Sequence, residues 1–123
     1  MARSVLVVDD DVSFRALAAR IVAGWGHTVV GQAGTAAEAL ECVQALRPDT
    51  VLLDIGLPDG DGFSLTERLR ALPEPPRVVL ISSDSDGANG AVARRAGAAG
   101  FVPKDELTGR PLRDLIDGDG DGD

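Results

Sequence analysis

The sequence predicts an α/β domain built on a parallel sheet, and three observations carry that expectation. Helical and strand patterns alternate five times along 123 residues, the arrangement that builds parallel sheets. Four of the strand-like runs are short and apolar, as buried strands are. Each of these runs also stops at isolated polar residues: Val5-Leu6-Val7-Val8 at Asp9-Asp10, Val51-Leu52-Leu53 at Asp54, Val78-Val79-Leu80-Ile81 at Ser82, and Phe101-Val102-Pro103 at Lys104. Open parallel sheets bind ligands outside the carboxyl ends of their strands, where strand order reverses. One rim would then gather three carboxylates, a hydroxyl and an ammonium.

The elements follow in order. After the first strand, Phe14, Leu17, Ala18, Ile21, Val22 and Trp25 recur at helical spacing, with Gly24 and Gly26 as stop signals and Trp25 as the anchor into the core. Thr28-Val29-Val30 is a brief second strand. Thr35-Ala36-Ala37-Glu38 matches a capping box, in which side chains satisfy free backbone donors ahead of a helix, and that helix ends near Arg47-Pro48. The third strand runs into Asp54, followed by Ile55 to Gly62, a loop too rich in Gly and Pro for regular structure. Helix three spans about Ser64 to Leu72. Pro73, Pro75 and Pro76 then prevent the helix from continuing, because proline lacks an amide donor and fixes φ. Small polar residues and two glycines from Ser83 to Gly90 predict the most mobile part of the rim, before a weak helix from Ala91 to Ala96. Strand five is Gly100 to Val102, and a short last helix covers about Pro111 to Ile116.

Composition narrows the function classes. With 44% hydrophobic residues the chain fills one core without disulfides or structural metal. The single cysteine, Cys42, excludes an internal disulfide. It reads as a small, at least half-buried apolar residue. No apolar run approaches the roughly 20 residues of a membrane helix, and Met1-Ala2-Arg3 leads straight into a strand. The expectation is a soluble, cytoplasmic protein with no membrane partner. The formal charge is −8, four units of it in the tail Asp117-Gly118-Asp119-Gly120-Asp121-Gly122-Asp123. No basic footprint for direct nucleic-acid binding stands out.

Asp9 and Asp10 beside Asp54 would repel strongly unless a cation neutralises them. Mg²⁺ suits an all-oxygen set that leaves room for water and phosphate, whereas one Cys and one His do not make a zinc site. Asp11 reads instead as the cap of the first helix. A carboxylate at Asp54, exposed on a loop yet held by the sheet, can act as a nucleophile through an acyl phosphate. Phosphoryl transfer needs chiefly in-line positioning and charge neutralisation. Taken alone, Asp54 would read equally well as a loop residue or helix cap.

These residues resemble the receiver domain of two-component response regulators over nearly the whole chain. The resemblance rests on Val7-Val8-Asp9-Asp10, Leu52-Leu53-Asp54-Ile55-Gly56-Leu57-Pro58, Leu80-Ile81-Ser82-Ser83 and Gly100-Phe101-Val102-Pro103-Lys104 in the family's order. It implies a flavodoxin-like doubly wound sheet in the order 2-1-3-4-5, spanning residues 1–116, and phosphorylation of Asp54 by a sensor histidine kinase, a phosphotransfer protein or a small phosphodonor. It further implies that Asp10 and Asp54 bind Mg²⁺ directly, Asp9 mostly through water, and Gly56 through its carbonyl. Lys104 would pair with a phosphoryl oxygen and the Ser82 hydroxyl would move to another. Phe101 resembles the switch aromatic, with a plain core residue as the competing account. The output would be a changed face of helix four and strand five, read by a partner or by a second copy in a phosphorylation-dependent dimer. Gly56 and Asp84 fall at positions that tune hydrolysis of the aspartyl phosphate.

Two departures bear on the resemblance. Many receivers place proline after the lysine, but here Pro103 precedes Lys104 and Asp105 follows it. Pro-Lys-Asp-Glu-Leu also occurs in receivers attached to helix-turn-helix DNA-binding domains, so a subgroup is indicated, although this chain carries no such domain. The second departure is the brief last helix and its acidic tail from residue 117 to 123, whose Asp spacing opens like a calcium loop without the closing glutamate. A disordered, solubilising tail is the better account. Asp59-Gly60-Asp61-Gly62 reads as a turn, and His27 as a partly exposed residue at a helix-strand junction. The alternative function is a receiver-like interaction module that acts regardless of phosphorylation. Glycine at position 56 argues against an Asp-x-Asp phosphatase, so the chain is expected to modify itself rather than turn over free substrates.

Overall fold

A computed structural model describes residues 2–83 and 88–118. In chain order the elements are β1 (Ser4–Val8), α1 (Val12–Gly24), β2 (Thr28–Ala33), α2 (Ala36–Leu46), β3 (Thr50–Asp54), α3 (Gly62–Arg70), β4 (Arg77–Ser82), α4 (Ala88–Ala96), β5 (Gly100–Pro103) and α5 (Arg110–Asp117). The five strands form one parallel sheet in the order β2-β1-β3-β4-β5, so the sequence expectation holds. Strand order reverses between β1 and β3, and the switch point falls there.

Burial explains why the strands were readable. Val5 to Val8, Val51 to Leu53 and Val78 to Ile81 are fully buried, because helices cover both faces of a parallel sheet. Side chains alternate between the faces. Leu6, Val8, Val51, Leu53, Val78 and Leu80 pack with Ala39 and Val43 of α2 and Leu65 and Leu69 of α3. Val5, Val7, Leu52, Val79 and Ile81 pack with Ala18 and Val22 of α1 and Leu112 and Ile116 of α5. Cys42 lies half-buried against the first of these clusters, and Trp25 packs on the second.

Several element bounds differ from the sequence reading. β2 continues to Ala33, beyond Val30, which is the extra residue of a bulge opposite the Val5–Leu6 step of β1. α3 starts at Gly62 and ends at Arg70, since Asp61 caps it by accepting the Ser64 N–H at 2.8 Å. The loop before α3 contains a two-residue antiparallel pairing of Gly56–Leu57 with Gly60–Asp61. Thr35 accepts the Glu38 N–H at 3.0 Å as a capping box requires, but the Glu38 carboxylate takes the Gly34 N–H rather than that of Thr35. Leu17 of α1, expected to face the core, is 42% exposed. α4 begins at Ala88, three residues ahead of its expected start, and the expected mobile segment lies largely outside the described residues. No helix among the described residues is long and apolar enough to cross a membrane.

The far end of the chain corrects two expectations. Asp117, assigned by sequence to a disordered tail, is the last residue of α5; residues 119–123 lie outside the described residues. His27 is buried rather than partly exposed, at 6%. Its Nδ1 accepts the Arg3 N–H at 2.9 Å, which places the ring proton on Nε2, 2.7 Å from Asp117 Oδ1. The ring sits between the amino end of β2 and the end of α5, with Arg3 on one nitrogen and Asp117 on the other. Asp117→Ala leaves the buried Nε2–H without its acceptor and is expected to cost about 1–3 kcal/mol, measurable as a lower urea midpoint at neutral pH.

Candidate functional site

The carboxyl rim is built by register. β1 pairs Val8 with Leu53 of β3, and β3 pairs Asp54 with Ile81 of β4. One further step along β1 sets Asp9 beside Asp54. Ile81 is level with Val102 of β5, and Ser82 with Pro103, so Lys104 follows directly at the rim. Asp9, Asp54, Ser82 and Lys104, far apart in sequence, are brought to one rim of the sheet.

Asp9 is fully buried and Asp54 is 7% exposed, whereas Asp10 is exposed. One carboxylate oxygen from each of the three lies within 4.8 Å of the others. The Lys104 ammonium lies 2.7 Å from Asp9 Oδ2 and 3.6 Å from Asp54 Oδ2. Asp9 Oδ1 accepts the Asp11 N–H at 2.8 Å, folding the chain back after β1. Asp11 itself caps α1 through the N–H groups of Ser13 and Phe14, as the sequence indicated.

Burial, with the negative charge of Asp9, raises the pKa of Asp54; Lys104 and the Gly56 N–H oppose that rise, and Asp10 adds to it. Burial alone would lower Lys104, but the hydrogen bond to Asp9 and the charges of Asp54 and Asp9 outweigh it and hold the ammonium above its ordinary value. The site therefore keeps its cation firmly while straining its central anion. Asp59 and Asp61, nearby in sequence, are shifted down instead, by backbone N–H donors of Ala36 and Ala37 for Asp59 and of Ser64 for Asp61. They are structural caps.

The donor set fits a hard divalent cation. All three side chains offer oxygen, with one atom from each within 4.8 Å of the others, the hard donors such a cation takes. Gly56 has its N–H 3.4 Å from Asp54 Oδ1, and a side chain there would meet open space. Ser82 is half-buried at the end of β4. Phe101 is half-buried against the cluster that includes α2 and α3. Asp84 lies outside the described residues. The Lys104-Asp105 peptide is trans, as no cis bond occurs among the described residues, and Lys104 opens a 3₁₀ turn through Glu106.

Three contributors were missed in the sequence. Phe14 lies with its ring centroid 4.3 Å from the Lys104 ammonium, a cation–π contact that favours the charged form. Its helical spacing marked it only as apolar. Arg15 donates to the Asp9 carbonyl at 2.7 Å and to the Gln32 side chain at 3.2 Å, tying β1 to β2 at the rim. Gly62 donates to the Ile55 carbonyl at 2.6 Å, and a Cβ there would stand 2.8 Å from the Asp54 carbonyl oxygen and from Ile55 Cα. A glycine opening a helix is the signal that was available.

The fold and this rim define a doubly wound α/β domain whose charged site lies at its topological switch point. The chain belongs to the response regulator receiver domain family, whose model matches residues 5–116. The receiver domain of the regulator NarL from Mycobacterium tuberculosis superposes with a TM-score of 0.84 at 36% identity, covering 95% of this chain and 98% of that one. The transcriptional activator DevR/DosR of Mycobacterium tuberculosis is 42% identical over 85% of this chain and 48% of its own length. A protein-glutamate methylesterase/protein-glutamine glutaminase of Burkholderia thailandensis is 39% identical over 92% of this chain and 32% of its own length. The chain thus spans about a third to a half of the curated relatives it matches. It is a receiver of two-component signalling.

Two measurements check the electrostatics and the packing. The folded pKa of Asp54 lies above its unfolded value, so its contribution to stability is complete in acid and declines as pH rises through the folded pKa. Asp54→Asn removes that decline, and in Mg²⁺-free buffer at pH 7 it should exceed the wild type by on the order of 1 kcal/mol in urea unfolding. The difference should narrow as pH falls into the ordinary carboxylate range. Gly62→Ala, pressed against backbone, should cost about 1–3 kcal/mol, whereas Gly56→Ala, in open space, should stay within about 0.5 kcal/mol.

Proposed function

We propose that this receiver is a phosphorylation-activated switch whose acceptor is Asp54. The observation that carries the reading is the buried, destabilised Asp54 carboxylate beside the Lys104 ammonium, 3.6 Å away, in a cluster with Asp9 and Asp10. An Asp54 oxygen attacks the phosphorus of a phosphohistidine on a sensor kinase or phosphotransfer protein, or of a small phosphodonor. A P–O bond forms and the donor's P–N or P–O bond breaks, its electron pair leaving with the donor. Lys104 meets the charge on the phosphoryl oxygens, and the Phe14 ring, 4.3 Å from that ammonium, favours its charged form.

Asp10 and Asp54 would hold Mg²⁺ directly, with Asp9 acting mostly through water and Gly56 through its carbonyl. Bound there, the metal supplies neutralisation of the carboxylates and of the phosphoryl oxygens. The mutual repulsion of three clustered carboxylates, relieved by a cation, supports this assignment. Return to the ground state is hydrolysis: water attacks phosphorus and the Asp54 carboxylate leaves. The open space at Gly56 gives water a path, and Asp84 orients or repels it. The chain therefore modifies and resets itself and does not turn over free substrates.

Phosphorylation adds about −1.5 to −2 charge. Ser82 and Lys104 gain contacts a bare carboxylate cannot offer, Phe101 turns inward, and the face of α4 and β5 shifts its population. Its reader is an output domain beyond this chain, of the DNA-binding kind in one subgroup, or a separate partner or second copy, in the cytoplasm. Acetyl phosphate with Mg²⁺ should add one phosphoryl group by intact mass, lost without Mg²⁺ and in Asp54→Asn. Mg²⁺ alone, at a hundredfold excess over Kd, should stabilise the wild type by about 2.7 kcal/mol. An absent adduct in a folded protein that binds Mg²⁺ would leave a phosphorylation-independent interaction module.

A further inference from the structure

The loop that follows Asp54 is fastened to a helix it does not adjoin in sequence. Asp59, five residues after Asp54 and three after Gly56, accepts the Ala36 N–H at 2.7 Å on Oδ1 and the Ala37 N–H at 3.1 Å on Oδ2. These are the first two amides of α2, and free amides at a helix start need acceptors from outside the helix. α2 also has local capping: Thr35 takes the Glu38 N–H at 3.0 Å, and the Glu38 carboxylate takes that of Gly34 at 2.8 Å. A carboxylate 23 residues further along the chain closes no local turn. It joins α2 to the loop between β3 and α3.

The rest of that loop is held at its flanks. Gly56–Leu57 pairs antiparallel with Gly60–Asp61, so Asp59 stands in the turn of a small hairpin. At the start of the loop the Ile55 N–H reaches the Ile81 carbonyl at 3.0 Å, and the Ile55 carbonyl takes the Gly62 N–H at 2.6 Å. At its end Asp61 caps α3. Those bonds fix both feet of the hairpin, and Asp59 fixes its tip. Packing runs the same way: Leu57 and Ala36 are buried in one apolar cluster, and a Cβ at Gly60 would come within 3.9 Å of Ala36 Cβ.

We propose that Asp59 is a positioning residue for the Asp54 site, holding the Gly56 carbonyl ready for the cation instead of leaving it to be ordered as the cation binds. This rests on the assignment of Asp54 and Gly56 as metal ligands. Asp59 itself touches neither the metal nor the phosphoryl group. It acts through population, because apparent affinity falls with the fraction of molecules whose loop is correctly placed. Fixing a segment beforehand also takes its ordering cost out of the binding step. Asp offers two oxygens to the two amides, Asn one and Ala none. Asn and Ala remove the same charge, so the grading between them separates anchoring from electrostatics.

The full chain is compared with Asp59→Ala, with Asp59→Asn used fresh against deamidation before Gly60, and with Thr35→Ala, which removes a cap of α2 that does not reach the loop. Without metal, amide exchange at residues 56–61 should quicken about threefold or more in Asp59→Ala and stay unchanged in Thr35→Ala. Mg²⁺ is then titrated alone at constant ionic strength, with the Gly56 amide followed by NMR. Kd should rise about fivefold or more in Asp59→Ala and by a smaller factor in Asp59→Asn. Thr35→Ala should stay within about twofold, even where its urea midpoint falls as far. Equal losses of affinity in Asp59→Ala and Asp59→Asn assign the effect to charge, and equal losses in Thr35→Ala assign it to α2; either overturns the proposal, as does unchanged exchange. A wild type that binds no Mg²⁺ overturns the metal assignment and the proposal together, whereas wild-type binding that Asp59→Ala leaves unchanged overturns the proposal alone.

Discussion

Asp9 and Asp54 are held side by side at the end of a sheet with one ammonium between them, and most of the architecture serves that arrangement. Neither carboxylate could be kept there by local structure alone. Asp9 is fixed because β1 is buried on both faces and the chain turns back through the Asp11 N–H. Asp54 is fixed because β3 is the central strand, with Gly62 pressed against it. Lys104 reaches both only because β5 is registered through β4. The apolar strands therefore do more than fill a core: they supply the rigidity that keeps mutually repelling charges at separations a flexible loop would relax.

The surrounding acids show how the same residue type is given different work. Asp11, Asp59 and Asp61 each accept backbone N–H groups at helix starts, and for Asp59 and Asp61 those donors stabilise the charged form. Asp59 caps α2 from the next loop, through the Ala36 N–H at 2.7 Å, and so locks the loop after Asp54 to a neighbouring helix. Asp54 has only the long contact from Gly56 and is pushed the other way by burial and by Asp9. A carboxylate already well served by donors gains little from a new bond. The one left poorly served is the one with most to gain from a metal or a phosphoryl group.

How much of this was legible follows the range of the interactions. Three buried runs and a half-buried fourth were visible with their polar endings because a strand covered on both faces writes a continuous apolar word, and Asp9, Asp54, Ser82 and Lys104 each stand at the end of one. β2 was shortened because Gly31 and Gln32 interrupt the pattern in a strand at the edge. His27 and Asp117 were misplaced because each is polar alone and suited to the interior only in the other's presence, 90 residues away. Phe14, Arg15 and Gly62 act on the site through contacts whose partners lie in other elements, and a helical period records only that Phe14 is apolar. Sequence thus names the polar residues at element ends and passes over those that hold them.

The same accounting indicates where a change at the rim would be absorbed. α5 is anchored at both ends: it follows the 3₁₀ turn that begins at Lys104, it buries Leu112 and Ile116 completely, and its last turn is held by Arg3, Arg77 and the His27–Asp117 pair. Among the described side chains of α4, those buried are Ala93 and Ala96, which exclude far less apolar surface from water than leucine or isoleucine. Elements with few buried apolar groups open at the low end of a protein's free-energy range. In the proposed switch, a pull on Lys104 or Ser82 would meet a fixed helix on one side and a lightly held one on the other, which favours the reading that the rearrangement runs through α4 and the neighbouring β5.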